Sequence, residues 1–485
     1  MPANVLQNYI NGTWVASAGT TLLDVKNPAT GALLAQVPLG TAGDVDRAVE
    51  AAQKAFPAWR ETPPVVRARY LFKFKALLDK HADEIAKICC SEHGKTIAES
   101  RNDIGRGIEN VEHACGTPAL MMGSNLEDIA HGIDCAAIRQ PLGVFACIAP
   151  FNFPPMVPLW FLPYAIASGN TFILKPSEQV PLSQKRIFEL LAETGLPAGV
   201  VNLVNGGKEV VDQLCTNKDI RGVSFVGSSP VARHVYELSA KHGKRVQALG
   251  GAKNYLVVMP DAVMDRSVQN VSDSIYGCAG QRCLAGSIVI GVGDAYEKVK
   301  EGLLAAAKAI VIGDGSKPGV TMGPVVSAKH KDKVMGYIQK GVDEGAKLLL
   351  DGRTWKATGE LASGHFLGPT VFEGVRPDMT IIKEEIFGPV VCLMKATDLN
   401  DAIRQVNSTD FANASSIYTS SGKSAREYAY RVHPAMLGVN IGVAAPMAMF
   451  PFGGSKASFF GDVKAHGTSG IDFYTDKKVV ITRWF

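Results

Sequence analysis

The stretch GVFACIAPFNFPPMVPLWFLPYAIASGNTFILK, residues 143–175, decides the fold. Residues 143–149 (GVFACIA) form a short, continuously apolar run, which suits a strand buried on both faces. A proline-marked apolar helix follows over 156–168. TFILK (171–175) repeats the strand pattern. The same alternation continues downstream: helix 182–194, strand VVNLV (200–204), helix 209–215, strand GVSFV (222–226), helix 231–241, strand 245–249. Strands that alternate with helices predict a parallel, doubly wound sheet, which binds ligands at the carboxyl ends of its strands.

Upstream, residues 44–59, 66–92 and 97–115 read as amphipathic helices. In the last, Ile104, Ile108, Val111 and Cys115 share one apolar face and Arg106 lies opposite, as a solvated arginine would. Downstream, residues 252 to about 445 start a second alternating series. Its strands are read at 287–292, 390–394, 415–419 and 437–441, its helices at 295–310, 329–344, 399–406 and 424–432. The fold class is therefore α/β, with two such domains. Residues 479–483 (VVITR) close the chain as a strand with no helix of its own nearby, and are expected to pair across a subunit interface.

Composition narrows the function. With 485 residues, 46% hydrophobic, 20% charged and a net charge of +4, the chain has ample core and nearly balanced charge. Its densest basic cluster, KHGKR (241–245), reads as a solvated helix end, so nucleic acid is not an expected partner. Nine cysteines are scattered singly apart from Cys89-Cys90, with no C-x-x-C pair; reduced thiols, a cytoplasmic location and no metal site are expected. The first residues carry neither a signal-peptide nor a transit-peptide pattern. The most apolar run, 156–167, is broken by Pro158 and Pro163 and is too short to span a bilayer, so no membrane is expected.

Chemistry concentrates in GCAGQRCLA (277–285). Cys283 follows Arg282, and a thiolate beside a cation is an activated nucleophile; a small buried filler is the plain alternative. No G-x-G-x-x-G is present. Lys175-Pro-Ser-Glu178 ends the second strand, where a lysine and a glutamate can hold ribose hydroxyls. Gly227-Ser228 ends the fourth and opens a helix, where amides favour a pyrophosphate. Ordinary loop chemistry is the alternative for each. Asn152, in PFNFP, is either a turn asparagine or a donor that stabilises an oxyanion together with the Cys283 N–H.

Together PFNFP (150–154), KPSE (175–178), FVGS (225–228), GQRCLA (280–285), EEIFGP (384–389) and PFGGSKAS (451–458) resemble the aldehyde dehydrogenase superfamily, in its order and over nearly the whole chain. The resemblance implies a Rossmann-type NAD-binding domain (1–118 and 142–250), a second α/β catalytic domain (251–450) and a small β oligomerisation arm (119–141 and 466–485). It implies Cys283 as nucleophile and Asn152 as the side-chain half of the oxyanion hole. Lys175 and Glu178 become ribose ligands, and Gly227 and Ser228 the pyrophosphate turn. Glu385 and Phe387 contact the nicotinamide side, and Ala149 and Phe151 wall the cofactor. Glu178 would repel a 2′-phosphate, which favours NAD over NADP.

Most of the superfamily hydrolyses its thioester with a glutamate from E-L-G-G-K. Here the stretch is ALGGAKN (248–254). Matching L-G-G puts Ala248 at that position; matching Pro260-Asp261-Ala262 without a gap puts Leu249 there. Neither takes a proton from water, so a thiol acceptor is expected. GQRC, GAKN and the segment 106–115 resemble the methylmalonate-semialdehyde dehydrogenase subfamily. That resemblance implies that Arg106 and Arg282 clamp a substrate carboxylate and that coenzyme A is the co-substrate, after decarboxylation. For Arg282, pairing with a local carboxylate is the plainer alternative. Gln179 stands where the subfamily usually has arginine, at a cofactor contact. A homodimer or homotetramer is expected. The alternatives are a hydrolytic enzyme acting on another small semialdehyde, and a non-catalytic relative.

Overall fold

A computed structural model describes residues 4–485. Its first sheet has eight strands in the order Thr13–Val15, Asn8–Ile10, Val201–Leu203, Thr171–Lys175, Val144–Ile148, Ile220–Val226, Arg245–Leu249, Phe459–Gly461. The five from Val201–Leu203 to Arg245–Leu249 are parallel. The first of these in sequence, Val144–Ile148, lies in the middle, so strand order reverses between it and Ile220–Val226. That reversal opens the crevice in which such sheets bind ligands.

Side chains alternate across this sheet with the period of two that a strand imposes. Phe145, Cys147, Phe172, Leu174 and Leu249 enter the core on one face. Val144, Ala146, Ile148, Ile173 and Ala248 enter the core on the other. Both faces are covered, which is why the strands read as unbroken apolar runs. Helix Met156–Ala167 is buried at every residue, so the most apolar run of the sequence lies inside the protein. Among the described residues no helix is long and apolar enough to cross a membrane.

Helices Ala42–Glu61, Pro64–His93 and Ile97–Cys115 pack beside this sheet. The last begins with a capping box: the Thr96 hydroxyl accepts the Glu99 N–H at 3.2 Å, and the Glu99 carboxylate accepts the Thr96 N–H at 2.8 Å. The second domain is a seven-stranded sheet in the order Lys347–Leu350, Thr370–Glu373, Val390–Ala396, Gly286–Val292, Asn254–Val258, Ala414–Tyr418, Met436–Val439. It is parallel except at its first pair.

The C-terminal strand forms one edge of a three-stranded sheet. Thr475–Arg483 pairs within its own chain, antiparallel to Ile133–Pro141, from Thr475 opposite Pro141 to Arg483 opposite Ile133. Its partner belongs to the hairpin Ser124–Ala130 and Ile133–Pro141, and Thr475–Arg483 is paired on one edge only. The stretch from 466 onward also divides. Helix Gly467–Tyr474 packs on the first domain, where the Tyr474 hydroxyl meets Ser224 Oγ at 2.9 Å and its ring meets Phe145 at 4.8 Å. Phe459–Gly461 returns from beyond the second domain to edge the first sheet beside Arg245–Leu249.

Candidate active site

The segment that carries Cys283 starts where helix Met264–Tyr276 ends. Cys278, Ala279 and Gly280 all take left-handed φ, at 51°, 52° and 72°. Non-glycine residues resist that region, so the turn is held by its surroundings. A Cβ on Gly280 would lie 2.1 Å from the Gly388 carbonyl oxygen. Asn254 and Asn413 each donate a side-chain amide to the Cys283 carbonyl at 2.8 Å. Gln281, fully buried, donates to the Cys278 carbonyl at 3.1 Å and accepts the Val326 N–H at 3.0 Å. The loop is thus braced from both sides before any substrate arrives.

Asn152 is brought onto this loop. Its Nδ2 donates to the Gln281 carbonyl at 3.2 Å. Its own carbonyl accepts Lys95 Nζ at 2.7 Å, and Lys95 pairs with Asp103 at 2.7 Å, both side chains fully buried. The other oxygen of Asp103 accepts the Met156 N–H at 3.1 Å. One ion pair therefore holds both ends of the 152–156 loop. Sequence reading missed Lys95 and Asp103, because a lysine and an aspartate near the start of a helix look like solvated charges.

Cys283 stands where two cavities meet. The larger, about 660 Å³, lies at the carboxyl ends of the first sheet's strands, and all nine residues expected on the cofactor side line it. Ala149 and Phe151 come from the end of the first strand, Lys175, Glu178 and Gln179 from the second, Gly227 and Ser228 from the fourth, and Glu385 and Phe387 from the second domain. Lys175 Nζ donates to Glu178 at 3.0 Å. Burial pushes the Glu178 carboxyl up, yet Lys175 and the backbone outweigh it and hold it below its usual value. A Cβ on Gly227 would lie 2.5 Å from the Phe225 ring, so the turn there stays bare backbone.

Two further residues of this cavity escaped the sequence reading, His330 and Lys333. His330 Nε2 meets the carbonyl of Phe387 at 2.7 Å. Phe387 is itself left-handed, with φ 63°. Glu385 accepts the Ala252 N–H at 2.8 Å, and burial pushes its carboxyl up to about 7.

The smaller cavity, about 530 Å³, is walled by apolar side chains such as Trp160 and Phe452, with Arg106, Arg282 and Glu99 among its polar lining. The two arginines are brought together, as expected, but each has a partner. Arg106 donates to Glu109 at 2.7 Å. Arg282 donates from Nη2 to Glu99 at 3.1 Å and from Nε to Cys278 Sγ at 3.2 Å. Its guanidinium lies across Gly277, where a Cβ would sit 2.3 Å from Nη1. Arg106 departs from a purely solvated reading: the polar face of its helix borders the cavity.

Arg282 draws the Cys283 thiol down, as a neighbouring cation should, but is outweighed. Burial, then the Glu385 carboxylate, push the Cys283 thiol up to about 12, and Arg282 is the weakest of the groups that oppose them. The guanidinium directs three of its N–H groups to Cys278, Glu99 and the Asp273 carbonyl. The two candidates for the missing base also separate. Leu249 lies in the apolar cluster that includes Leu284 and against which Cys283 packs, whereas Ala248 lies in the cluster on the other face of the sheet. The Cys283 side of this strand is apolar.

Residues 14–480 match the model of the aldehyde dehydrogenase family. The chain is 51% identical to malonate-semialdehyde dehydrogenase 1 of Geobacillus kaustophilus over 480 residues, 99% of this chain and 98% of that one. A solved methylmalonate-semialdehyde dehydrogenase from Oceanimonas doudoroffii superposes with a TM-score of 0.97 at 43% identity, covering 99% of this chain and 98% of that chain. A Sinorhizobium meliloti structure complexed with NAD superposes at 0.98 with 42% identity and the same coverage. The site and these likenesses agree: the chain belongs to the aldehyde dehydrogenase family.

Proposed function

We propose that this protein oxidises malonate semialdehyde, and its methyl homologue methylmalonate semialdehyde, with NAD, and passes the decarboxylated acyl group to coenzyme A, giving acetyl-CoA or propanoyl-CoA. The observation that carries the reading is a cavity that opens on Cys283 with two arginines in its wall, while the strand residue on the Cys283 side of the sheet is Leu249 and not a carboxylate. The relatives named for malonate and methylmalonate semialdehyde support the same substrate class.

Cys283 attacks the aldehyde carbon. The oxyanion that forms lies within reach of Asn152 Nδ2 and the Cys283 N–H, donors of the kind that stabilise tetrahedral intermediates. Arg106 and Arg282 orient the substrate by its carboxylate. NAD, when bound, supplies the hydride acceptor. The larger cavity fits it: Glu178 and Lys175 suit ribose hydroxyls, Glu178 disfavours a 2′-phosphate, and the bare backbone at Gly227 leaves room for a pyrophosphate before helix Ser229–Lys241. Ala149, Phe151, Gln179, Ser228, Glu385 and Phe387 complete that wall.

Loss of hydride leaves a thioester on Cys283. The bond from its α-carbon to the carboxylate then breaks, CO₂ departs, and the electron pair delocalises into the thioester carbonyl before the α-carbon is protonated. The thiol of coenzyme A takes the acyl group and frees Cys283. General-base catalysis is worth about 10²–10⁴-fold, so water competes poorly beside Leu249.

On this reading residues 1–118 and 142–250 bind NAD, residues 251–450 form the catalytic domain, and 119–141 with the C-terminal strand form an arm that joins a homodimer or homotetramer. The arm exposes Leu126, Ile138, Val479 and Ile481. All nine thiols are free, as suits a reducing cytoplasm.

The test is NADH production from malonate semialdehyde with and without coenzyme A. Turnover should need coenzyme A and yield acetyl-CoA. Steady turnover in its absence would replace this reading with a hydrolytic enzyme.

A further inference from the structure

Glu99 is the most heavily used side chain in the smaller cavity. One carboxylate oxygen accepts the Thr96 N–H at 2.8 Å and the Thr96 hydroxyl at 3.0 Å. The other accepts the Cys278 N–H at 2.6 Å and Arg282 Nη2 at 3.1 Å. It is anchored at the N-terminus of helix Ile97–Cys115 and its side chain is 13% exposed. Glu109, the partner of Arg106, is 38% exposed and makes its bond from the middle of the same helix.

Each arginine is thus charge-balanced before substrate enters. A substrate carboxylate must compete with a glutamate for each guanidinium. Glu109 is free to yield, because it is half-exposed and its charge can return to water. Glu99 is not, because four donors hold it. Arg282 has five N–H groups. Three are directed at Glu99, Cys278 Sγ and the Asp273 carbonyl, which leaves two for a ligand.

We propose that Glu99 is a specificity-determining positioning residue: it fixes Arg282 against the Gly277 backbone and, by keeping that guanidinium paired, sets an upper limit on the affinity of the site for carboxylates, while Arg106 swings from Glu109 to complete the grip. The inference rests on the reading of this cavity as the place where a semialdehyde acid binds. A fixed negative charge beside the clamp repels the substrate's own. An amide that keeps its oxygen on Thr96 turns its N–H₂ toward Arg282 and the Cys278 N–H, so it removes both the charge and the acceptor that hold the guanidinium and leaves Arg282 to the ligand carboxylate.

Glu99→Gln is the direct test. The ratio of KM for propanal to KM for malonate semialdehyde should rise about tenfold, the worth of one charge-assisted hydrogen bond. The Kd of malonate, an unreactive dicarboxylate, should fall by a similar factor in titrations without turnover. The gain should sit in KM and Kd rather than kcat. Glu99→Asp keeps a capping carboxylate but draws it back from Arg282, and should move both readouts in the same direction, so the idea stands or falls even if the glutamine variant folds poorly. Unchanged or weaker malonate binding in both variants, or equal changes for acid and propanal, would overturn the proposal. If the wild-type enzyme itself fails to prefer the acid over propanal, the reading of the cavity fails, and that outcome is distinct.

Discussion

The Lys95 ammonium lies 2.7 Å from the main-chain carbonyl of Asn152, so a fully buried charge holds the backbone of the residue whose amide leans on the nucleophile loop. A buried ion pair is costly to form and costlier to break. Here Lys95 and Asp103 hold the loop that carries Asn152, the oxyanion donor we propose.

Lys95→Met should therefore lower kcat by about tenfold to a hundredfold, a fraction of the 10²–10³-fold lost when an oxyanion donor is removed outright, as in Asn152→Ala. It should also cost about 3–5 kcal/mol of stability, because Asp103 is left buried without its partner. The double variant Lys95→Met/Asn152→Ala should turn over no more slowly than Asn152→Ala alone, since both act through one amide. Additive losses in steady-state NADH assays would assign Lys95 a purely structural role.

Leu249→Glu should create what the site lacks. Its side chain enters the apolar cluster on the Cys283 side, so a carboxylate there can activate water, and NADH production without coenzyme A should rise by at least about tenfold, towards the 10²-fold floor of general-base catalysis. Ala248→Glu buries a carboxylate on the opposite face and should only destabilise the sheet. If both variants gain hydrolysis, or neither does, the assignment of Leu249 to the base position is wrong.

Arg106→Leu should raise KM for malonate semialdehyde about tenfold to a hundredfold and leave propanal nearly unaffected, which matches the loss of a charge-assisted pair worth about 1.5–3 kcal/mol. Arg282→Leu should do the same but also lower the melting temperature, because Glu99 loses its guanidinium. Equal effects on acid and propanal would make the arginines structural.

Alkylation of Cys283 by iodoacetamide, followed by peptide mass spectrometry, tests its electrostatics. With the thiol pushed up to about 12, the rate in the wild type should keep rising through pH 10. Glu385 has its carboxyl pushed up to about 7, so it is neutral in acid and charged above neutrality, where it opposes the thiolate. Glu385→Gln should then accelerate alkylation by up to about tenfold above pH 7 and little below pH 6. Acceleration of the same size on both sides would exclude Glu385 as the opposing charge.

Val479→Asp with Ile481→Asp, on the edge strand of the arm, should shift the protein to a smaller species in size-exclusion chromatography with light scattering. Those side chains are 61% and 70% exposed in the single chain and apolar, and carry no hydrogen bonds to lose. An unchanged mass would remove the arm from the assembly.

The sequence by itself determined both α/β domains, the parallel sheet and the nine residues that come to line the larger cavity. Each rests on a local signal: unbroken apolar runs for strands buried on both faces, and polar turns at the ends of those strands, which parallel pairing gathers along one edge. It also announced the absence of a base in ALGGAKN. Only the tertiary structure decided which residue fills that place, because strand parity relative to the sheet puts Leu249 on the face of Cys283 and Ala248 behind it. The partner of Thr475–Arg483 was likewise settled by pairing across some 340 residues of sequence separation, which no local pattern encodes. The pairing of the two arginines depended on Glu99 and Glu109, and the support of Asn152 on Lys95. A charged residue looks solvated in sequence; burial and the distance to a counter-charge are properties of the folded chain alone.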